Sequence, residues 1–237
     1  MYDPPQCTRN NLNSHDFHIN GDLIISWRFI NKFYLQDKSL KIRMAPRLKQ
    51  KHLSLPPFSK MKVQLAAQIL SRSVSIGMIT QVETNKLPVE ALPTADFILK
   101  MNNLFDCFNS ESYLHPSTYK RAISDKSNHI QYFEEMITYI KSWDIGNVSN
   151  EVFKFNKGWI VTIRSVMMLW DDLKKERGFR YLLTRQLNQD PLENFFGMVR
   201  MDAGCNKDPP ISGFHGTIKK TMMASLLKPP AGKKLRG

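Results

Sequence analysis

The sequence has few cysteines, and none are spaced for a metal site or a disulfide framework. Its 237 residues include three of them, Cys7, Cys107 and Cys205, with no CxxC pair. An odd number of scattered cysteines argues against a structural zinc site and against a small disulfide-stapled domain. The pattern favours a reducing compartment.

Long apolar segments are also missing. No run of about 18 apolar residues occurs, so no membrane-spanning helix is predicted. The N-terminal residues MYDPPQCTRNNLN lack the apolar stretch of a secretion signal. We therefore expect no membrane partner and no secretion.

Several short motifs with known chemistry are absent. The chain contains no GxxxxGK[ST], GxGxxG, HExxH or GxSxG pattern. Their absence argues against P-loop and dinucleotide-binding folds, zinc peptidases and serine hydrolases of the nucleophile-elbow type.

Acidic residues are scarce relative to basic ones. The 34 lysines and arginines outnumber 21 acids, which gives a formal net charge of +13. Such a charge favours a polyanionic partner, most often nucleic acid. The alternative of a basic surface without a specific partner stays open, because the basic residues are spread along the chain. A hydrophobic content of 42% fits a folded protein.

Apolar periodicity predicts a mainly α-helical chain. Asn20-Gly21 is a turn signal and predicts a β-hairpin near the N-terminus, followed by a short helix. A basic, proline-broken segment comes next. Four amphipathic helices are then predicted from apolar spacing over residues 63–74, 97–108, 130–140 and 159–173. The first of these is expected to begin near Ser59.

The stretch NNLFDCFNS carries the first candidate site. On a helix, Asp106 and Asn109 share a face next to Phe105. A carboxylate can accept two hydrogen bonds from the Watson–Crick edge of guanine, and an aromatic ring can stack on a base. The alternative is structural, with Phe105 and Phe108 in the core and the two polar residues solvated or capping the helix end.

The stretch LLTRQLNQDPLENFFGMVR places two acids at the start of an apolar helix. Asp190 followed by proline is typical of a helix N-terminus, and Glu193 three residues later favours the helix dipole. Capping explains Asp190 well and Glu193 only in part. A carboxylate held beside Phe195 and Phe196 also suits a metal ligand. Lys62, at the start of another helix, could contact a phosphate or be an ordinary surface lysine.

Four segments resemble P element-type transposases, the group that includes the THAP-domain transposases. They occur along this chain in the same order as in that family. LTRQLNQDPLENFFGMVRMDAGCNKDPP is similar to their T-x-x-L-x-Q-D-x-L-E-x-F-F segment. RLKQKHLSLPPFSKMKVQLAAQILSRSV resembles K-L-T-x-x-H followed by K-M-x-V-x-L-A. FILKMNNLFDCFNS resembles a stretch ending in F-D-x-x-N, and YDPPQCTRNNL resembles an altered D-x-P-H motif.

The resemblance implies a ribonuclease H-like domain that is interrupted by a helical, GTP-binding insertion. The expected fold is therefore mainly α, with the insertion flanked by an incomplete ribonuclease H-like α/β domain. Residues 1–37 would be its N-terminal remnant with the hairpin, 38–185 the insertion, and 186–237 the acid-bearing helix with a basic tail. Without a complete sheet, we expect the two flanking segments to pack poorly, or to cover the helical unit in a manner unlike the family.

The resemblance also implies the site residues. Glu193 would be the last acid of a catalytic D-D-E set and its metal ligand. The GTP-contacting positions would be Arg47, Lys62, Val63, Phe105, Asp106, Asn109 and Asp190. Arg47 stands where the family has lysine, and a planar guanidinium is not equivalent to an ammonium.

The first two acids of the catalytic set would lie upstream of the D-x-P-H motif, and we expect them to be absent. A two-metal site needs carboxylates from several places, so Mg²⁺ is expected only where that set is complete. We consequently favour a transposase derivative that binds GTP and DNA but is not catalytic alone. The alternatives are an active nuclease and a non-catalytic nucleic-acid-binding or protein-interaction protein without GTP. The resemblance further implies a nuclear location and is compatible with a homo-oligomer.

Overall fold

The computed structural model describes residues 4–54, 60, 62–145, 150–188, 190–202, 204 and 211–227. The chain forms two compact units, Met1–Thr184 and Arg185–Gly237. Each unit is described by itself below. No described helix is long and apolar enough to cross a membrane.

The first unit begins with a helix and a small sheet. Helix α1 (Pro4–Ser14) precedes strands β1 (Phe17–Ile19) and β2 (Leu23–Ile25), which pair antiparallel. The predicted hairpin is confirmed, but Ile19 pairs with Leu23, so its loop has three residues rather than two. Asn20 and Gly21 both adopt positive φ angles, of 52° and 84°, which asparagine and glycine tolerate best. A third strand, β3 (Trp143–Asp144), pairs with β1.

Helices make up most of the first unit, which confirms the mainly α fold class. They are α2 (Trp27–Ser39), α3 (Gln50–Leu53), α4 (Val63–Ile69), α5 (Arg72–Glu83), α6 (Leu92–Cys107), α7 (His129–Lys141) and α8 (Asn150–Arg177). Short 3₁₀ turns occur at Val89–Ala91, Thr118–Lys120 and Thr184–Leu187.

The helix predicted over residues 63–74 is two helices. Leu70 and Ser71 leave helical geometry, and the Ser71 hydroxyl donates to the carbonyl of Gln68. The apolar spacing continues across this break, because both helices bury residues such as Ile69 and Val74 in the same core. Ser59, the predicted start, lies outside the described residues.

The expectation that residues 1–37 pack poorly is wrong. Phe17, Ile25 and Phe33 are fully buried in the main core. The ring of Phe17 meets Phe97 of α6 edge-on, with centroids 5.8 Å apart, and lies 5.8 Å from the ring of Trp143. Pairing with β3 and packing against α6 give the hairpin the partners that an isolated hairpin lacks.

A close approach between α2 and α5 depends on Gly77. A Cβ atom built there would lie 2.7 Å from the Phe33 ring and 3.2 Å from Met44 Cβ. We expect Gly77→Ala to destabilise the protein by about 1–3 kcal/mol through overpacking, measured by urea unfolding. Gly158→Ala in α8 is the control, since no atom lies within 4 Å of its added Cβ and alanine is the better helix former. Equal effects of the two substitutions would contradict this packing.

The second unit contains two helices, α9 (Asp190–Asp202) and α10 (Ile211–Leu227). The predicted acid-bearing helix is confirmed as α9. It packs against α10 through the parallel rings of Phe196 and Phe214, whose centroids are 6.4 Å apart. The Thr221 hydroxyl donates to the Asp202 carboxylate at 2.9 Å. The basic tail from residue 228 onward lies outside the described residues.

Candidate functional site

The C-terminal end of α6 and the turn that follows it carry the predicted trio Phe105, Asp106 and Asn109. Residues 92–107 form a helix because apolar side chains recur at core-facing positions, where Phe97, Met101 and Leu104 are buried. Asp106 and Asn109 therefore fall on the half-buried flank of the helix end. The Asn109 amide donates to the Phe105 carbonyl at 2.9 Å, so it also fastens the end of the helix.

The two phenylalanines of this turn have different environments. Phe108 packs against the core and stacks on Phe133, with centroids 5.6 Å apart and planes 16° from parallel. Phe105 is half-buried and is not part of that core cluster in the described chain. The structural alternative, with both rings in the core, therefore holds for Phe108 but not for Phe105.

The Asp106 carboxylate lies between two donors that the sequence did not predict. Asn102 Nδ2 donates to Oδ2 at 3.2 Å, and Lys120 Nζ lies 3.6 Å from Oδ1. The Asp106 side chain is 16% exposed, so solvent reaches only part of it. Burial raises the pKa of this carboxyl, while Lys120, Asn102 and the nearby His115 oppose the shift.

Asn102 connects the carboxylate to the neighbouring helix. Its Oδ1 accepts a hydrogen bond from the backbone N–H of Arg72, at the start of α5, at 3.1 Å. This bond fixes the amide orientation, so that Nδ2 is the group directed to Asp106. Asn102 lies one helical turn before Asp106, and that spacing was available in the sequence. Lys120 gave no such signal, because a separate 3₁₀ turn brings it to α6.

Lys62 and Val63 lie where the chain enters α4, and a buried arginine holds this point. Arg9 is fully buried, and its guanidinium donates to the carbonyls of Lys60 at 2.6 Å and Lys62 at 3.5 Å. Burial lowers the pKa of Arg9. The Lys62 side chain is exposed, and α4 packs against α6.

Arg47 is exposed in the loop that precedes α3. No hydrogen bond or ion pair of the described residues joins Arg47 or Lys62 to Asp106. The structure therefore groups Asp106 with Asn102 and Lys120. The roles predicted for Arg47, Lys62 and Val63 stay predictions.

The two predicted acids of the second unit lie on α9. Asp190 is the first residue of this helix, and its side chain lies outside the described part of the structure. Glu193 is exposed. Within the described ranges, no three His, Cys, Asp or Glu side chains group as ligands for a metal ion. The metal-ligand role predicted for Glu193 stays a prediction.

Two domain families match this chain. Residues 6–122 match the family described as "TNP-like, GTP-binding insertion domain", and residues 186–216 match "TNP-like, RNase H C-terminal domain". Together the two matches cover more than half of the chain. The first begins well before residue 38, where the sequence placed the start of the insertion, and that domain boundary stays a prediction.

The relatives found are transposases. The Transposable element P transposase of Drosophila melanogaster is 26% identical over 223 residues, which is 90% of this chain and 28% of that protein. The DNA transposase THAP9 of Homo sapiens is 28% identical over 170 residues, which is 65% of this chain and 18% of that protein. This chain thus spans less than a third of either relative.

A solved structure agrees with this relationship. The Drosophila P element transposase strand transfer complex superposes with a TM-score of 0.80 at 25% identity, over 95% of this chain and 51% of that one. The order of the elements, the two domain matches and the relatives agree. The chain belongs to the P element-type transposase family, of which it carries the GTP-binding insertion domain and the C-terminal ribonuclease H-like segment.

Proposed function

We propose that this transposase-derived chain binds a guanine nucleotide at the end of α6 and DNA on its basic surface, without cutting DNA on its own. The observation that carries the nucleotide part is the half-buried Asp106 carboxylate beside Lys120, one residue from a phenylalanine outside the core. The match to a GTP-binding insertion family supports the same ligand. The net charge of +13 supports a polyanionic partner.

The chemistry of this turn fits the guanine base. The Asp106 carboxylate can accept from N1–H and from the exocyclic amine, the two adjacent donors on the guanine edge. The Lys120 ammonium, 3.6 Å from Oδ1, is placed to donate to O6, which is next to N1. Adenine presents a donor in place of O6 and an acceptor at N1, so it would leave both protein groups unmatched.

The rest of the nucleotide would be held by neighbouring residues. Phe105 offers a ring for stacking on the base, worth about 0.5–1.5 kcal/mol for an aromatic pair. Arg47 and Lys62 would supply positive charge for the phosphates, and Val63 would complete the site as the family resemblance implies. The role that the resemblance implies for Asp190 stays a prediction. The Arg9 guanidinium, by holding the carbonyls of Lys60 and Lys62, would position this segment for that contact.

The non-catalytic part of the proposal follows from the carboxylates. Two divalent metals need acids from separate parts of the fold, and the resemblance assigns one of them here, Glu193. We expect no cleavage of plasmid DNA by the purified chain with Mg²⁺. Nicking that disappears in Glu193→Gln would contradict this part. A nuclear location, where chromosomal DNA is found, and self-association belong to the same proposal.

Titration calorimetry with GTP and ATP tests the nucleotide part. We expect binding of GTP in the micromolar range and at least 10-fold weaker binding of ATP, because the Asp106–Lys120 pair matches one base and opposes the other. Equal affinity for the two nucleotides, or no binding of either, would contradict the proposal. DNA binding without any nucleotide effect would then favour the alternative of a transposase derivative that no longer binds GTP.

A further inference from the structure

A polar cavity of about 530 Å³ opens between the 3₁₀ turn Thr118–Lys120 and the N-terminal end of α7. It is within the size range of small-molecule sites, about 300–1,000 Å³. Phe105, Asp106 and Asn109 are not among its lining residues. The cavity is therefore distinct from the guanine site proposed above, although Lys120 lies in the chain between two of the residues that line it.

Three tyrosines, Tyr113, Tyr119 and Tyr132, are among the residues that line the cavity. The rings of Tyr119 and Tyr132 lie with their centroids 4.8 Å apart. Tyr113 is 48% exposed, and its ring contacts Tyr181, which is 47% exposed, at 5.4 Å. An exposed pair of aromatic rings is costly to leave in water, and such rings are typical of surfaces on which bases stack.

Hydrogen bonds restrain one member of each of these two tyrosine pairs, Tyr181 and Tyr132. The antiparallel bridge between Ile123 and Leu182, with two backbone hydrogen bonds of 3.0 Å and 2.9 Å, brings Tyr181 alongside the 112–124 segment. The hydroxyl of Tyr132 donates to the Lys100 carbonyl at 2.9 Å. These bonds fix the Tyr132 ring and the backbone next to Tyr181 within the fold.

Positive groups lie at the same cavity. Arg121 and Lys126 line it, opposed by one carboxylate, Glu135. Helix α7, of 13 residues, begins here, and its N-cap Asn128 makes no side-chain capping bond. Free N–H groups at a helix start attract phosphate. Arg121 is oriented by its own Nε, which donates to the His115 carbonyl at 2.6 Å.

A buried histidine in the lining lacks an ordinary hydrogen bond. His129 is 4% exposed, and neither of its ring nitrogens has a partner of normal length and angle among the described residues. Burial lowers the pKa of His129, and an interaction with the backbone of Tyr119 offsets part of that shift. Buried polar atoms are nearly always satisfied, so an occupant of the cavity would supply a missing partner.

We propose that this cavity binds single-stranded nucleic acid, with a base against Tyr113 and its phosphate near Arg121, Lys126 and the start of α7. The inference rests on the DNA-binding part of the proposed function and names the form of nucleic acid and its site. A single strand is favoured over a duplex, because only an unpaired base can leave its stack to enter a cavity lined by aromatic rings.

Fluorescence anisotropy of the full chain with labelled oligothymidylate, at fixed salt, tests the proposal. Tyr113→Ala should weaken binding of the strand by about 10-fold, since stacking on one aromatic residue accounts for a factor of that order. Tyr113→Phe keeps the ring and should stay within about twofold of the wild type. Lys126→Ala should weaken binding and lower the salt slope by about one.

The control is Lys32→Ala, which removes one exposed charge from α2, in another part of the unit. It should leave strand affinity nearly unchanged. A blunt duplex of the same length and free thymidine monophosphate form the other two arms. The duplex should not respond to Tyr113→Ala, whereas the free nucleotide should bind more weakly than the strand and lose affinity in the same variant. Parallel losses for strand and duplex, equal effects of Lys126→Ala and Lys32→Ala, or tighter binding of the free nucleotide would overturn the proposal. If the chain bound the duplex as tightly as the single strand, this inference would be wrong, and the proposed DNA-binding function would still hold.

Discussion

Asp106→Asn is expected to lower the affinity for GTP by about 100-fold, because it removes charge-assisted hydrogen bonds of about 1.5–3 kcal/mol each. The amide that replaces one carboxylate oxygen also points a donor at a donor on the base. The affinity for ATP, which gains nothing from the carboxylate, should change much less. Calorimetric titration of both nucleotides measures the two changes on one protein preparation.

Asp96→Asn is the matched control for this substitution. Asp96 lies on the same helix, and its exposed carboxylate pairs with Lys100 one turn later. Because exposed ion pairs contribute about 0–1 kcal/mol, neither stability nor GTP affinity should change appreciably. Equal losses of GTP affinity in the two variants, or wild-type affinity in Asp106→Asn, would contradict guanine recognition by Asp106.

The second large effect is expected at Lys120. Lys120→Met removes the donor proposed for guanine O6 and should weaken GTP binding by about 10-fold, a factor that corresponds to one charge-assisted hydrogen bond. Inosine triphosphate also has O6 and should lose the same factor, whereas ATP should not. Titration of the three nucleotides separates contact with the base from contact with the phosphates, which all three share.

The same substitution has a pH signature. Burial raises the pKa of Asp106, and Lys120 is the strongest opposing influence. Guanine binding needs the ionised carboxylate, so GTP affinity should fall as the pH drops toward that pKa. Without Lys120 the pKa rises further, and the loss of affinity should begin at a higher pH.

Lys174→Met serves as the control for Lys120. Lys174 is exposed to a similar extent and pairs with Asp125 at 3.0 Å. It should leave both the nucleotide affinities and their pH dependence unchanged. If Lys120→Met lowered the affinities for GTP, inosine triphosphate and ATP by the same factor, Lys120 would contact the phosphates, and the proposed contact with O6 would be wrong.

Local patterns predicted most of the fold. Apolar spacing found the helices from α6 to α8 because each buries one continuous stripe, and Asn20-Gly21 found the hairpin because a turn is a local event. The break at Leu70 was missed, since both halves bury apolar residues in one core. Strand β3 was missed because two residues carry no periodicity and its partner lies more than 120 positions away along the chain.

Helix α1 shows a different limit. Its buried face includes Thr8 and Arg9, which hydrophobic periodicity does not recognise as core residues. Their burial makes sense only with distant partners. The Trp159 indole donates to the Thr8 hydroxyl at 2.8 Å, and Arg9 donates to the Lys60 carbonyl. A buried polar group depends on such partners, and the sequence around it does not name them.

The candidate site could be predicted from the sequence only in part. The spacing of Phe105, Asp106 and Asn109 on one helix end was visible in the sequence, and the family resemblance gave these residues a role. The sequence could not place Lys120 beside Asp106, because Lys120 lies fourteen positions further along the chain, at the end of a 3₁₀ turn. The proposal that Asp106 recognises the guanine edge depends on that ion pair with Lys120.

Xanthosine triphosphate tests that reading most directly. Xanthine carries a carbonyl where guanine has its amine, so an amide at position 106 can donate to it while the wild-type carboxylate repels it. Asp106→Asn should therefore bind xanthosine triphosphate more tightly than GTP, and the wild-type protein should show the opposite order. If Asp106→Asn weakened the binding of both nucleotides and GTP still bound more tightly than xanthosine triphosphate, Asp106 would not contact this edge of the base.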